Sequence, residues 1–206
     1  MYQTRQKSST KLPIPRKGTK YVAKALSHPA NSVPVVIAVR DMLKLAKTAK
    51  EVKHMIKAKM LKINGLPVKS YLDSIRLFNV FEADKHYSLT MLPTERFAFV
   101  PSSKKNERLC KVINKTLVSG NKIQLNLHDG SNILTKDKIA VGDSIYLDFE
   151  GKIKSHIPLE KGKKVFIMFG KYVGFQGVIK SIKNNLVNVE FDSAEAALNK
   201  SQVVAI

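Results

Sequence analysis

Between Lys122 and Leu127 the chain alternates strictly: Ile123, Leu125 and Leu127 are apolar, while Lys122, Gln124 and Asn126 are polar. Successive side chains of a strand point to opposite faces, so this run predicts a half-buried β-strand. Period-two patterning continues over residues 108–148. Ser119-Gly120-Asn121, His128-Asp129-Gly130 and Val141-Gly142-Asp143 place turn chemistry between the runs. Short strands at such spacing predict a compact antiparallel sheet or barrel. Further strands are expected at Lys164–Phe169, Val178–Ile182, Leu186–Phe191 and Val203–Ile206. Asn184-Asn185 should form a turn, and Ala194–Leu198 reads as helix-like.

The first third follows another rule. Val35, Val39, Met42 and Ala46 recur at spacings of 4, 3 and 4, which predicts a helix from Val33 with Pro34 in its first turn. Arg40, Lys44 and Lys47 then share a second face of that helix. Thr48 followed by Glu51 is a capping box, so a second helix should begin at Ala49 and point Val52 and Ile56 inward. Lys50, Lys53 and Lys57 form its basic stripe, with His54 beside them. Next come Met60–Ile63, Asn64-Gly65 and Leu66–Val68. Asn-Gly suits a type I′ hairpin turn, whose two central residues need positive φ, and Pro67 confines its strand to a sheet edge. Runs at Arg76–Phe81, His86–Met91 and Phe97–Val100 complete this part.

Charge decides what kind of partner to expect. The chain of 206 residues carries a formal +20. Residues 1–62 hold 15 Lys and Arg against 2 Asp and Glu, and residues 63–206 hold 21 against 14. Met1–Ala30 contains no acid, while Arg5, Lys7, Lys11, Arg16, Lys17, Lys20 and Lys24 punctuate it. With few large apolar residues this stretch cannot fold alone, and Pro13-Ile14-Pro15 favours an extended path. An extended basic arm that threads along phosphates is the expectation. A solvated surface normally mixes charge signs, so the one-sided helix faces argue for a phosphate-binding surface as well.

Several other classes are excluded. Cys110 is the single cysteine, so neither an internal disulfide nor a Cys-rich zinc site can form, and the chain suits a reducing cytosol. The apolar run Val33–Val39 is far too short to span a bilayer. No secretory signal pattern opens the sequence, which makes a cytoplasmic protein the expectation. His128 and Asp129 invite a metal or catalytic role, but one His and one carboxylate are too few ligands for zinc, and Asp-Gly after a strand is a turn. His28, His54, His86 and His156 are scattered, and Cys110 reads as a small buried hydrophobe. No catalytic set, metal or cofactor is expected.

Two helices feeding an Asn-Gly hairpin resemble a small RNA-binding module of ribosomal proteins, pseudouridine synthases and tyrosyl-tRNA synthetases. The run Pro13-Ile14-Pro15-Arg16-Lys17-Gly18-Thr19-Lys20 narrows this, being similar to the opening signature of the archaeal and eukaryotic small-subunit ribosomal protein S4e family. Leu109-Cys110-Lys111-Val112, Asn114-Lys115-Thr116 and Lys122–Leu134 resemble that family's central region. Gly170-Lys171-Tyr172-Val173-Gly174-Phe175-Gln176-Gly177 resembles a KOW-type motif. Its glycines would let backbone approach a phosphate, although the spacing is not that of a P-loop. Lys171 and Tyr172 would then offer RNA a cation and a stacking ring.

The resemblance implies an α+β protein in four parts: a basic arm (1–32), an S4-like RNA-binding domain (33–100), a central antiparallel β domain (101–157) and a KOW-type, SH3-like small barrel (158–206). It implies a structural constituent of the small ribosomal subunit that binds rRNA and neighbouring ribosomal proteins. Membrane, small-molecule substrate and homo-oligomer are not expected. A free translation or transcription factor acting through the KOW-type domain is the alternative. A modifying enzyme is disfavoured, because residues 99–206 offer only small β units.

Overall fold

A computed structural model describes residues 2–102, 106–118, 120, 122–191 and 194–206. The chain divides into two compact units, residues 1–106 and 107–206. The first unit contains β1 (Tyr2–Thr4), β2 (Tyr21–Ala23), β3 (Ser32–Pro34), a short α1 (Val35–Ile37) and α2 (Ala49–Lys57). It continues with β4 (Lys62–Ile63), β5 (Leu66–Pro67), β6 (Ser74–Arg76), β7 (Val80–Glu82), β8 (His86–Met91) and β9 (Phe97–Pro101). The second contains β10 (Glu107–Val118), β11 (Lys122–Leu127), β12 (Asn132–Thr135), β13 (Ser144–Asp148), β14 (Ile153–Ile157) and β15 (Lys164–Ile167). It ends with β16 (Gln176–Lys183), β17 (Leu186–Glu190), β18 (Glu195–Asn199) and β19 (Val203–Ala205). The molecule is thus mostly β with few helices.

In the first unit one five-stranded sheet runs β5-β4-β7-β8-β9, while β1 pairs with β2 and β3 with β6. Asn64 and Gly65 have φ of 51° and 78°, the geometry of the expected hairpin turn, and β5 with Pro67 lies at the sheet edge. Val33, Val35, Ile37, Val39, Val52, Leu61, Ile75, Phe81 and Leu89 are buried.

The expected extended arm folds back instead. Tyr2 pairs with Ala23 and Thr4 with Tyr21, and the ladder closes a loop over residues 5–20. Leu12, Val22 and Ala25 are buried, and the Phe97 amide donates to the Lys11 carbonyl. Few in number, these apolar residues still suffice because they share the core of the following residues.

The first expected helix is also shorter than its spacing suggested. After α1 the backbone widens into a π turn at Ala38–Met42, and Lys44 takes a left-handed φ of 57° that ends the element. Every residue from Val33 to Val39 is buried, so no single apolar stripe existed to extend.

In the second unit, sheets β12-β11-β10-β13-β14 and β18-β17-β16-β15-β19 each wrap a separate core. The first half of β10 pairs with β13, and beyond a bulge near Val112 and Asn114 its second half pairs with β11. Leu125 and Leu127 face inward, as the alternation required. Of the turn expected at residues 119–121, Ser119 and Asn121 lie outside the described residues. Residues 194–198 are not helical: β18 pairs along β17, turning Ala196 and Leu198 inward. The second sheet makes a half-barrel.

Candidate nucleic-acid interface

Helix α2 begins where the sequence placed it. Thr48 is extended (φ −125°, ψ 154°), and its Oγ1 accepts the Glu51 N–H at 3.2 Å. Glu51 in turn accepts the Lys47 N–H at 2.8 Å and the Thr48 hydroxyl at 2.9 Å. Those two bonds hold its carboxyl below the usual carboxylate range. The acid of the first turn is therefore engaged with the cap. Val52 is fully buried, leaving Lys50, Lys53 and Lys57 exposed. Lys53 Nζ stands 4.7 Å from the centre of the Tyr71 ring, and the Tyr71 hydroxyl meets that of Tyr2 at 3.2 Å. This chain of contacts sets the helix stripe beside the β1–β2 ladder.

The second basic face expected from Arg40, Lys44 and Lys47 is not formed as one helical row. Arg40 is held by Asp41 through a two-pronged pair at 2.9 and 2.8 Å, which raises its pKa. Lys44 and Lys47 lie past the end of that helix, both exposed. They precede the start of α2 in the chain.

In the arm, the loop closed by β1 and β2 lines an open cleft of about 710 Å³ bordered by Arg5, Arg16, Lys17, Gly18, Thr19 and Lys20. Lys7, Arg16, Lys17 and Lys20 are exposed. Lys24 is half-buried behind β2. Lys11 donates to Asn31 Oδ1 at 2.7 Å, and burial lowers its pKa against the pull of Glu95. It anchors the loop to the unit. Arg5 turns inward onto loop carbonyls.

Two aromatic rings beside these cations, an exposed Tyr21 and a half-buried Tyr71, escaped the sequence reading. Tyr21 is 57% exposed, with Lys20 Nζ at 5.5 Å from its ring. Its adjacency to Lys20 was a readable signal, since basic residues interleaved with aromatics suit stacking on RNA bases. Tyr71 had no such signal, because only the fold brings it under Lys53.

In the glycine loop of the second unit, Lys171 is exposed and lies 5.7 Å from the Tyr172 ring. One face of that ring is covered: Tyr172 stacks on Phe191 at 5.4 Å and 22°. Gly170 and Gly174 have φ of 100° and 83° and make turns. Gly177 serves packing, since a Cβ there would stand 2.5 Å from the Glu190 carbonyl oxygen.

His128 and Asp129 occupy a structural turn. Asp129 accepts the Ser131 amide and hydroxyl at 2.9 and 2.6 Å and pairs with Arg108 at 2.7 Å. Burial alone would raise the Asp129 pKa, but Arg108 and Ser131 outweigh it and hold the carboxyl below its ordinary value. His128 Nδ1 accepts the Lys111 amide. Burial pushes the Cys110 thiol far above the range in which thiolates form. Among the described residues no group of three or more His, Cys, Asp or Glu gathers to hold a metal, and no helix is long and apolar enough to cross a membrane.

Comparison with known proteins fits this architecture. The crystal structure of the 30S ribosomal protein S4e from Thermoplasma acidophilum superposes with a TM-score of 0.73 at 28% identity, covering 85% of this chain and 95% of that one. The small ribosomal subunit protein eS4 of Archaeoglobus fulgidus is 34% identical over 100% of this chain and 93% of its own length. The chain belongs to the S4e family of ribosomal proteins. The family signature itself, "Ribosomal family S4e", matches residues 83–153. The eS4 protein of Methanospirillum hungatei is 35% identical over 81% of this chain and 73% of its own. The signature of the S4e family spans β8 through the start of β14, whereas the cations of the arm and of the α2 stripe lie before it and Lys171 lies after it.

Proposed function

We propose that this chain is a structural component of the small ribosomal subunit in the cytoplasm, and that it binds rRNA through the basic surface of its first unit. The observation that carries this reading is the excess of positive charge in residues 1–62, 15 Lys and Arg against 2 Asp and Glu. Asp41 is paired with Arg40 and Glu51 is engaged with its helix cap, and among the described residues Arg16, Lys17, Lys20, Lys50, Lys53 and Lys57 pair with no carboxylate. Lysines and arginines arranged so neutralise phosphates and release counterions, which makes binding strong and salt-dependent. Folded RNA presents backbone and 2′-hydroxyls to a protein surface more readily than base edges, so base selectivity is modest. Tyr21 offers a stacking face to an unpaired base beside Lys20.

The half-barrel of β15–β19 is read as the KOW-type domain, with Lys171 as its RNA contact and Tyr172 held against Phe191 as support. Other proteins of the subunit are the neighbours, and the function is non-enzymatic.

Binding of an in vitro transcript of the organism's own small-subunit rRNA, measured against salt, tests the proposal. With about 8 phosphates engaged, the slope of log affinity against log salt is about −6. A slope weaker than about −2 overturns the reading. Sedimentation of lysate adds the assembly test: co-migration with small subunits supports it, and a position among free proteins overturns it in favour of a free factor.

A further inference from the structure

We propose that Arg5 is a positioning residue that shapes residues 15–20 into a preformed seat for an RNA phosphodiester, while Arg16, Lys17 and Lys20 make the contacts. The inference rests on the RNA-binding reading above and assigns Arg5 a role different from that of its fellow cations.

The Arg5 guanidinium is engaged by the protein itself. Nε donates to the Thr19 carbonyl at 2.8 Å, Nη1 to the Pro15 carbonyl at 2.5 Å and Nη2 to Thr19 Oγ1 at 3.0 Å. Its backbone is fixed too, with the amide donating to the Lys20 carbonyl at 2.9 Å and the carbonyl accepting the Ser8 hydroxyl at 2.6 Å. A planar fork with donors in fixed directions can bridge two carbonyls four residues apart, whereas an ammonium is a point donor on a flexible stem. Gly18 completes the arrangement. A Cβ there would stand 3.0 Å from Arg5 Nη2 and 3.2 Å from Cζ, and its φ of 143° is one that side chains rarely adopt.

The consequence concerns the other cations. Arg16, Lys17 and Lys20 lie within five residues, exposed, with no acid anywhere in residues 1–30. Closing such a loop with the β1–β2 ladder brings like charges together, and the Arg5 clamp holds residues 15–20 in place against their repulsion. With the clamp, the three cations border one cleft, and the repulsion among them is relieved when an anion enters. A phosphodiester matches that need, since a seat built in advance avoids the entropy of ordering the loop on binding.

The test uses the full-length protein carrying Arg5→Lys, Arg5→Gln or Gly18→Ala. In the absence of RNA, trypsin cleavage after Arg16, Lys17 and Lys20, read by mass spectrometry, is expected to run about tenfold faster in all three, because two or more hydrogen bonds are lost or displaced. Affinity for the same rRNA transcript is expected to fall about tenfold in Arg5→Lys, nearly as far as in Arg5→Gln, although the lysine keeps the charge. Wild-type protease protection in Arg5→Lys and Gly18→Ala overturns the clamp. Wild-type affinity in Arg5→Lys beside a loss in Arg5→Gln makes Arg5 a direct phosphate contact and overturns the proposal. If the unmodified protein itself binds RNA without salt dependence, the functional reading fails on its own, and the protease result still decides the clamp.

Discussion

The two units use their cations in opposite ways. Residues 1–106 hold 21 Lys and Arg against 6 Asp and Glu, and residues 107–206 hold 15 against 10. The difference in pairing is larger than those figures suggest. In the second unit Arg108 pairs with Asp129, Lys154 with Glu107 and Asp148, Lys180 with Glu190 and Glu195, and Lys152 with Glu150. In the first, Arg40 pairs with Asp41 and Lys62 with Glu82, and the rows of Lys50, Lys53 and Lys57 and of Arg16, Lys17 and Lys20 are left to solvent. Exposed pairs contribute little stability. Their effect is to offset charge locally in the second unit, which keeps a net +5 (15 − 10) against +15 (21 − 6) in the first, so the stronger positive potential belongs to the first.

The largest expected effect concerns the one ion pair of the second unit that is well buried among the described residues. Asp129 has 2% and Arg108 14% of its side chain exposed. Asp129→Ala leaves the guanidinium without its partner in a poorly hydrated site and is expected to destabilise the protein by about 3–5 kcal/mol in urea unfolding. Because the Asp129 pKa is depressed on folding, this contribution is present above the unfolded value and disappears as pH falls through the folded one. Stability losses in acid should therefore be smaller for the variant than for the unmodified protein. Equal acid sensitivity would show that the pair is not what separates the units.

Next comes Lys111, a cation hidden in the second unit. It is 3% exposed, and its Nζ donates to the carbonyls of Lys200 and, at 2.6 Å, of Val203. Through these bonds β10 grips the segment leading into β19. Burial lowers its pKa to about 8 from the usual 10.5. The unfolded chain thus binds more protons between those values, so the cost of burying the charge is fully present below pH 8 and relieved as pH rises towards 10.5. Against Lys111→Met, which has nothing to titrate, the unmodified protein is expected to gain on the order of 3 kcal/mol across that window. Parallel pH profiles would mean that Lys111 keeps water and belongs with the solvated cations.

How much of this contrast was legible in the sequence varied with the range of the interactions involved. The Asn64-Gly65 turn, the Thr48–Glu51 cap and the alternation of Lys122–Leu127 are local signals, and the structure follows each of them. His86–Met91 forms the strand its composition suggested. What could not be read depended on distant partners. Glu195–Leu198 is built of good helix formers, yet pairing with β17 makes it part of a strand. The buried run Val33–Val39 carries apolar residues in helical spacing, but it is apolar throughout, so the spacing held no directional information. Of the candidate interface, the α2 stripe was visible because its cap and inward Val52 are local. The inward turn of Arg5 was not, because the carbonyls it meets arrive only when β1 and β2 pair. Nor was the burial of Lys111, which looked like any polar residue in a strand.

The smallest effect on stability should accompany a large effect on binding. Lys50, Lys53 and Lys57 are exposed and pair with no carboxylate among the described residues, so replacing all three by Gln is expected to change unfolding free energy by no more than about 0.5 kcal/mol. The Lys53–Tyr71 contact is lost, and an exposed cation–π pair is worth about that much. Yet if each lysine meets a phosphate, the slope of log affinity for the rRNA transcript against log salt should weaken by about 2, three contacts at roughly 0.7 each. The matched control removes the same charge from the second unit by replacing Lys161, Lys163 and Lys164, which are also exposed. Total charge falls equally in both triple variants, so a general attraction between a basic protein and RNA predicts equal weakening. A surface localised on α2 predicts that only the first triple moves the slope.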